Sequence, residues 1–517
     1  MSVHGLTLGD ILREHRRSRP RVTASVDGGV RLTYARLDDR VNRLAAVLAA
    51  AGVSAGDRVL YLGRNSVHLQ EGLLAAAKLG AVFVPGNRRQ SADETAFVLD
   101  DLAPAAVLWQ RGHDAGEDRA AADARAAAGA PGRWLDGGGP GYERLLDAAD
   151  PGDPGRPVDG AAPAVGLYTA AFDGRPACAL LSHDALIAHS AAISLVRRIG
   201  PGFTFLNSGP LFHVGTLMFH LAAFQAGGTN VFLPAFDAAE AARLIEAERV
   251  HQMFGFGPML TAVAEANRGP GGAPRHDLSS LASVAHSPEW DAQVSVGTDP
   301  WNASGMGGYG QTQVGGMLTF LALAPDGAGG AGRPSPFVQV RILGPDGAEV
   351  APGATGEIAV RGRTVFSGYH RRPGLDARAF AGGWYRTGDL GRREDDGTLA
   401  FIGPRLHMIK SGNENIYPAE VERALKEHPG VADAAVIGVP DPVWTQSVLA
   451  VVSRTPGGTA TERELIEHVA TVIASYKKPR RVVFTDTVPR AGAAPDYAAL
   501  DAAHGGGGYP GEERRGT

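Results

Sequence analysis

Apolar and polar positions near the start of the chain follow two spacings in turn, one typical of helices and one of buried strands. Helical spacing runs through residues 34–51 and 67–79, and short apolar runs follow at 59–62 and 81–85. Helices and strands that alternate in this way are typical of crossover units on a parallel sheet. The N-terminal part of the chain therefore predicts an α/β fold.

The pattern changes further along the chain. A second alternating block runs from residue 165 to about 285, with strands near Thr204 and Val231. Residues 338–360 alternate apolar with polar side chains and predict an antiparallel β region. Residues 105–163 have weak periodicity and predict short helices and loops.

The last part of the chain predicts a small α+β domain. Its predicted elements are a helix at 418–427, strands at 434–438 and 448–453, a helix at 461–474 and a strand at 481–485. We expect a large domain at residues 1–402, a hinge at 403–407 and the small domain at 408–517. The residues after Ala503 are rich in glycine and predict a disordered tail.

Composition places the chain among ordinary globular proteins. With 517 residues, 44% hydrophobic and 20% charged, it can bury a sizeable core. A formal net charge of −5 provides no field for nucleic acid or an anionic membrane, so neither is expected as a partner. No signal sequence or membrane-spanning apolar run is found. The single cysteine, Cys178, excludes an internal disulfide, predicts a small buried hydrophobe and favours a cytoplasmic location.

Residues 385–422 hold the densest polar pattern in the chain. The turn at 387–389 can present the carboxylate of Asp389 at the lip of a cleft, where it suits sugar hydroxyls. Gly412 follows a strand-like run and lets the backbone approach a ligand closely. By itself, such a stretch predicts only a surface hairpin that leads into a helix beginning at Pro418.

The order of residues in 385–422 resembles the junction between the two domains of adenylate-forming enzymes, the acyl-CoA synthetase family. The resemblance extends from about residue 32 to residue 490, nearly the whole chain. It implies a large N-terminal α/β domain, with parallel-sheet subdomains and a β-barrel-like subdomain, and a small mobile α+β domain. In that family, an acid and ATP form an acyl-adenylate, and the small domain then rotates so that a thiol can attack it.

The resemblance implies that recognition of AMP is retained. Tyr309 matches an aromatic ring that stacks on adenine, Thr312 a hydroxyl beside the α-phosphate, and Asp389 the carboxylate that binds ribose. The family's ribose-contacting arginine falls on Pro404 with Arg405 beside it, so the register there stays open. The predicted AMP-binding residues are Gly308, Tyr309, Gly310, Thr312, Asp389 and Arg405.

The resemblance also implies that adenylation is lost, because the positions serving it have changed. Those positions are Ala170, Ala171, Phe172, Asp173, Ala177, Gln313 and Pro495. Ala177 replaces the lysine of the triphosphate loop, Gln313 the glutamate that holds magnesium, and Pro495 the adenylation lysine. Two unit charges about 4 Å apart interact by about 4 kcal/mol at an effective dielectric constant of about 20, before screening by salt. Loss of the loop lysine and gain of Asp173 should each weaken the binding of a phosphate charge by an energy of this order. No metal site and no requirement for Mg²⁺ are therefore expected.

The positions that serve thiol attack are retained. His213 matches the floor of the pantetheine tunnel and Gly412 the backbone that lines the tunnel after rotation, so these two are the predicted catalytic positions. The resemblance implies that CoA is held by Arg89, Ser411, Gly412, Trp444, Tyr476 and Lys478, with cations for its phosphates and rings for its adenine. A roomy apolar acyl pocket is predicted from His213, Met218, Phe219, Gly315, Gly316 and Met317.

These matches predict one half-reaction, the transfer of an acyl group from a preformed acyl-adenylate to coenzyme A. The pocket fits a bulky polycyclic acid, and the resemblance implies an acid of the diterpenoid type. A separate enzyme is expected to make the adenylate. Two alternatives stay open. One is a complete ATP-dependent ligase in which Arg175 serves the phosphates and Gln313 holds a metal through water. The other is an inert protein that binds a nucleotide or a partner, and a homodimer is also left open.

Overall fold

The computed structural model describes residues 5–169, 175–255, 257–281, 307–324, 326–404, 407–412, 414–491, 494–507 and 509. None of the helices in these ranges is long and apolar enough to span a membrane. The predicted positions Ala170 to Asp173 and Arg405 lie outside the described residues.

Several helices begin at side chains that cap their first turn. Thr7, Ser91 and Thr461 each form a capping box with the acidic residue three positions later. In chain order the helices are α1 (Leu8–Ser18), α2 (Tyr34–Ala50), α3 (Val67–Leu79), α4 (Ala92–Leu102), α5 (Ala115–Ala127), α6 (Gly139–Asp147), α7 (His183–Arg197), α8 (Val214–Gln225), α9 (Ala238–Ala247), α10 (Gly257–Ala266), α11 (Pro373–Ala379), α12 (Pro418–Lys426), α13 (Glu462–Val472) and α14 (Tyr497–His504). Short 3₁₀ helices lie at Pro270–Gly272, Thr312–Val314, Leu321–Leu323 and Ser475–Lys477.

The strands of the large domain are mostly short. They are β1 (Thr23–Asp27), β2 (Val30–Thr33), β3 (Arg58–Leu62), β4 (Val82–Pro85), β5 (Ala106–Trp109), β6 (Arg133–Asp136), β7 (Pro163–Thr169), β8 (Ala177–Ser182), β9 (Thr204–Asn207), β10 (Thr229–Phe232), β11 (Gln252–Met253), β12 (Gly310–Gln311), β13 (Gly316–Met317), β14 (Thr319–Phe320), β15 (Arg333–Pro334), β16 (Val338–Leu343), β17 (Thr355–Gly362), β18 (Gly368–Tyr369), β19 (Phe380–Ala381), β20 (Trp384–Arg393) and β21 (Leu399–Pro404).

Two largely parallel sheets form the N-terminal part of the large domain. Their strand orders are β18-β8-β7-β4-β3-β5-β6 and β11-β9-β10-β1-β2. The side chain of Asn65, just beyond β3, donates to the backbone oxygen of Gly209, just beyond β9, at 2.6 Å. The carboxyl ends of strands from both sheets are therefore brought to one place, where ligands of open α/β sheets bind.

The third sheet of the large domain is antiparallel, as residues 338–360 predict. Its order is β16-β17-β20-β19, and β21 pairs with β20. The register of β20 against β21 shifts between Leu390 and Gly391, directly after Asp389. Such a bulge redirects neighbouring side chains and is common beside functional sites.

The small domain contains β22 (Ile409–Ser411), β23 (Glu414–Ile416), β24 (Val431–Asp441), β25 (Thr445–Arg454), β26 (Arg481–Phe484), β27 (Arg490–Ala491) and β28 (Ala494–Pro495). Its sheet has the order β23-β22-β25-β24, with β26 beside β25. Apolar residues of α12 and α13 pack with this sheet in a core of their own. The chain passes from β21 to β22 between residues 404 and 409, the interval in which most of the hinge is predicted.

Two predictions about the fold were wrong. Strands β5 and β6 lie within residues 105–163, for which only helices and loops were expected, because four-residue strands are too short to show a period. Of the tail after Ala503, which was predicted to be disordered, the structure describes residues 504–507 and 509. Tyr509 is buried in the small domain, where its hydroxyl accepts from the backbone of Gly438 at 3.0 Å and donates to Asp501 at 2.9 Å. Cys178 is buried, as predicted.

Candidate active site between the domains

A cavity of about 1180 Å³ lies where the two domains meet. The loops after β3, β4, β9 and β10 form its large-domain wall, and β22, β23 and the segment around Tyr476 form its small-domain wall. Six predicted residues from separate parts of the chain line this one cavity, namely Arg89, His213, Ser411, Trp444, Tyr476 and Lys478. Gly310, predicted for AMP, also reaches it.

His213 is the N-cap residue of α8, and its ring faces the cavity. Its Nδ1 accepts the backbone N–H of Gly215 at 3.0 Å, so the neutral ring carries its proton on Nε2. The side chain of His213 is exposed to the cavity, but the surrounding protein atoms displace part of its water, and this loss of hydration lowers its pKa. Glu414 opposes that effect, whereas Lys410 and Arg89 lower the pKa further. His213 is therefore set to donate a hydrogen bond into the cavity rather than to accept a proton.

Arg89 reaches across the cavity wall to the small domain. Its Nη2 lies 2.8 Å from Glu414 Oε1. Its guanidinium lies 4.9 Å from the ring centre of Tyr476 and 5.2 Å from that of Phe212. The sequence predicted a phosphate ligand here and gave no sign of Glu414 as a partner. The guanidinium of Arg89 therefore forms contacts between the two domains.

Other cations line the cavity. The Lys478 ammonium has no carboxylate at ion-pair distance among the described residues, so it is available to an anion. Sequence reasoning missed Arg64, Arg88, Lys410 and Arg480. Arg88 directly precedes Arg89, and Arg480 belongs to the basic run at residues 477–481 that includes Lys478, so the sequence carried a signal for these two. Arg64 and Arg88 each form an ion pair with Glu117, so part of the positive charge on the cavity wall is neutralised.

Gly412 has a backbone conformation that only glycine adopts readily. Its φ is +58°, and its N–H donates to the carbonyl oxygen of Trp444 at 2.7 Å. A Cβ atom on Gly412 would lie 3.2 Å from Trp444 Cε3. The turn between β22 and β23 thus holds Ser411 on the cavity wall beside Trp444.

Asp389 and Tyr309, both predicted for AMP, form a polar cluster. The Tyr309 hydroxyl donates to Asp389 Oδ2 at 2.6 Å, and Gln311 Nε2 donates to the same oxygen at 3.1 Å. The Tyr385 hydroxyl donates to Gln311 Oε1 at 2.5 Å. Burial raises the pKa of Asp389 to about 6, against the effect of the two hydrogen bonds. The sequence missed Gln311, Tyr385 and Phe401, whose ring stacks on Tyr309 at 5.0 Å.

Glycines around Tyr309, in the segment predicted to bind AMP, allow backbone segments to pack closely. A Cβ on Gly308 would lie 2.0 Å from the oxygen of Thr319, and one on Gly310 would lie 2.0 Å from that of Gly316. The adjoining Thr312 begins a 3₁₀ helix. Substituted glycines would force this turn open.

Three residues predicted for the acyl pocket, Gly315, Gly316 and Met317, contact His189, which the sequence did not single out. His189 is buried, and its Nε2 accepts the backbone N–H of Met317 at 2.9 Å. Burial lowers the pKa of His189 to about 4. Gly315 and Gly316 lie against it, and Met218 and Phe219 are buried in an adjoining apolar cluster. The structure thus brings Met218, Gly315, Gly316 and Met317 together beside His189, with Phe219 in the adjoining cluster, whereas His213 lines the cavity between the domains. A roomy acyl pocket stays a prediction.

The described adenylation positions carry neutral side chains. Gln313 is buried, and its Nε2 donates to the Tyr369 hydroxyl at 2.9 Å. Ala177 is buried in β8, and Pro495 pairs with Arg490 in the β27–β28 hairpin. Arg175, the cation of the complete-ligase alternative, lies 5.0 Å from the ring centre of Phe97.

Residues 12–370 match the AMP-binding enzyme family, and residues 420–494 match the AMP-binding enzyme C-terminal domain. The chain is 38% identical over 480 residues to a feruloyl-CoA synthase of Amycolatopsis sp, covering 92% of this chain and 94% of that protein. It is 35% identical over 472 residues to an indoleacetate–CoA ligase of Aromatoleum aromaticum, covering 89% and 90%. A solved double mutant of o-succinylbenzoate CoA synthetase from Bacillus subtilis, bound with a product analogue, superposes with a TM-score of 0.79 at 25% identity, covering 93% and 96%.

The chain therefore belongs to the AMP-binding enzyme family, the adenylate-forming acyl-CoA ligase superfamily. The predicted fold, a large α/β domain followed by a small α+β domain, is confirmed.

Proposed function

We propose that this chain performs only the second half-reaction of its family, the transfer of an acyl group from a preformed acyl-adenylate to coenzyme A. One observation carries the proposal. A single cavity collects His213, Ser411, Trp444 and Lys478, which suit CoA, while the described adenylation positions are neutral. In this proposal the chain keeps the residues that bind CoA and has lost the charged residues that adenylation requires.

The neutral positions each remove part of adenylation. Magnesium favours carboxylates and water, whereas Gln313 offers only a neutral amide oxygen, since its Nε2 is a donor to Tyr369. The donor chemistry at this position does not fit a magnesium site, so no step of the proposal uses the metal. Ala177 and Pro495 provide no charge for the outer phosphates or the reacting carboxylate.

The proposed step balances with few protein groups. The CoA sulfur forms a bond to the acyl carbon, and the bond from that carbon to the AMP phosphate oxygen breaks. AMP leaves with the electron pair, and the thiol proton is released to water. The enzyme has to orient the two partners and exclude water, for which the Nε2–H of His213 offers a donor at the cavity wall.

We further propose that the acyl group is a bulky, polycyclic acid of the diterpenoid type, made into its adenylate by a separate enzyme. The pattern of lost adenylation positions resembles the non-adenylating acyl-CoA ligase of platensimycin and platencin biosynthesis. A role in natural-product biosynthesis follows from that resemblance, and CoA and AMP-bearing ligands are the expected small-molecule partners.

A second candidate, the complete ATP-dependent ligase, is favoured by the names of the similar proteins. Feruloyl-CoA synthase and indoleacetate–CoA ligase share 38% and 35% of aligned residues with this chain, over about nine-tenths of it. This candidate predicts an aromatic acid as the substrate and requires ATP and Mg²⁺.

One experiment separates these candidates. Purified protein receives CoA with synthetic feruloyl-adenylate or a diterpenoid acyl-adenylate, without ATP and with a chelator, and release of AMP and thioester is followed by chromatography. A parallel reaction contains the acids, ATP, Mg²⁺ and CoA. The proposal expects thioester only from an adenylate. Equal rates in the two reactions would establish the complete ligase, and no product in either would favour an inert binding protein.

A further inference from the structure

Lys477 joins the two domains through a buried cluster of charges. Its Nζ lies 2.8 Å from Glu94 Oε1, in the large domain, and 2.7 Å from Glu420 Oε1, in the small domain. The three side chains are only 9%, 6% and 1% exposed. Residues 94 and 477 are 383 positions apart along the chain.

We propose that Lys477 is a positioning residue, which holds the small domain in the orientation that completes the CoA cavity. This inference rests on the proposed function, because that orientation serves thiol attack. It adds a residue that neither binds CoA nor touches the acyl group.

The position of Lys477 between two cavity residues supports this role. Tyr476 and Lys478 line the cavity, whereas the ammonium of Lys477 is enclosed by the two carboxylates. Two further contacts join the domains nearby. The Ser91 hydroxyl donates to the oxygen of Val472 at 2.8 Å, and Arg89 pairs with Glu414. Lys477 therefore belongs to a group of contacts that hold the small domain against the large one beside the cavity.

The orientation in which the small domain docks on the large one depends on the positive charge of Lys477, which lies between two carboxylates. Burial alone would lower the pKa of Lys477, but Glu420 and Glu94 raise it above its ordinary value, so the side chain stays charged. Without the ammonium, Glu94 and Glu420 would face each other away from water, which is costly. Separating the domains would hydrate both carboxylates. Loss of Lys477 should thus favour undocked orientations.

The test compares Lys477→Met, Glu94→Gln and the double variant. Gln at position 94 keeps the capping box of α4, because an amide oxygen can replace the carboxylate there. The control is Lys426→Met, which removes an ion pair with Asp433 at 2.9 Å that lies wholly within the small domain.

Domain orientation can be measured independently of activity. Because the single cysteine is buried, cysteines introduced at Leu195, 61% exposed in the large domain, and Arg463, 86% exposed in the small domain, can carry spin labels. Distance distributions between the labels are recorded for each variant, together with rates of acyl transfer to CoA and to pantetheine.

We expect Lys477→Met to broaden the label distances and to lower kcat by about tenfold or more, equally for CoA and pantetheine, with little change in KM. Adding Glu94→Gln should restore part of both losses, because one buried carboxylate is then neutral. Lys426→Met should change neither measurement.

Unchanged distances in Lys477→Met, or losses that Glu94→Gln does not alter, would overturn the inference. If Lys477→Met does not fold, Glu94→Gln alone decides, since the pair within the small domain remains and only docking should loosen. If the parent protein transfers no acyl group, the proposed function fails, while the distances still test the positioning role.

Discussion

Arg89 of the large domain and Glu414 of the small domain form an ion pair across the cavity wall, with 2.8 Å between Nη2 and Oε1. The sequence predicts that Arg89 binds a phosphate of CoA, yet its charge is already matched by a carboxylate, and its guanidinium carbon lies 4.9 Å from the ring centre of Tyr476. Lys478, on the small-domain wall of the same cavity, has no such carboxylate within the described chain. The two cations should therefore behave differently when they are removed.

Lys478→Met should raise the KM for CoA by roughly tenfold and leave kcat nearly unchanged, because a contact to the nucleotide contributes equally before and during reaction. Pantetheine, which lacks the nucleotide, should show no such effect. Steady-state kinetics with both thiols tests this. A fall in kcat with pantetheine would show that Lys478 supports the fold or the domain orientation instead.

Arg89→Met should lower kcat with both thiols, since it removes a contact between the domains. Stopped-flow or steady-state rates with CoA and pantetheine check this expectation. If Arg89→Met raised KM only for CoA, the phosphate role predicted from the sequence would be correct, and the pair with Glu414 would be incidental.

Gly412→Leu should block thioester formation while leaving acyl-adenylate affinity nearly unchanged. The new side chain would begin 3.2 Å from the Trp444 ring, in a left-handed conformation that leucine tolerates poorly. Gly457→Leu is the matched control, because Gly457 has a φ of +74° and open space around it. Titration of a non-hydrolysable adenylate and assay of CoA transfer decide. Equal losses in the two variants would indicate strain alone.

Binding of AMP-bearing ligands should weaken as the pH falls through about 6. Asp389 has its pKa raised from 3.8 to about 6 by burial, so its carboxylate accepts from ribose hydroxyls only above that range. A raised acid pKa also means that the folded state binds a proton the unfolded state lacks between about pH 4 and 6. The free energy of unfolding should fall as pH rises through that window.

Calorimetric titration of AMP from pH 5 to 7.5 and melting curves over the same range test both effects. Asp389→Asn should flatten the two profiles, and the exposed Asp395→Asn should not. An unchanged profile in Asp389→Asn would assign the titration to another group.

Site residues that stand in a recognisable stretch of sequence could be predicted. Site residues whose role depends on a partner far away in the chain could not. Tyr309, Asp389 and His213 stand in recognisable segments, and the structure places Tyr309 against Asp389 and His213 on the cavity. Glu414 and Arg89 are 325 positions apart, and only the docking of two domains makes them neighbours. No periodicity or motif encodes such a pairing, so these interface charges could not be predicted.

Returning lysine to the adenylation position should restore little activity. Pro495→Lys places a cation in the β27–β28 hairpin, but Ala177 and Gln313 stay neutral, so the outer phosphates and the metal still lack their ligands. Exchange of labelled pyrophosphate into ATP, measured with the acid present, should remain near background in this variant. The combined variant with Gln313→Glu should also remain inactive and should lose about 1–3 kcal/mol of stability, because the amide that donates to Tyr369 becomes a buried carboxylate. Exchange at the rate of an ordinary ligase in the single variant would show that the triphosphate is bound after all, and would move the complete ATP-dependent reaction ahead of the half-reaction.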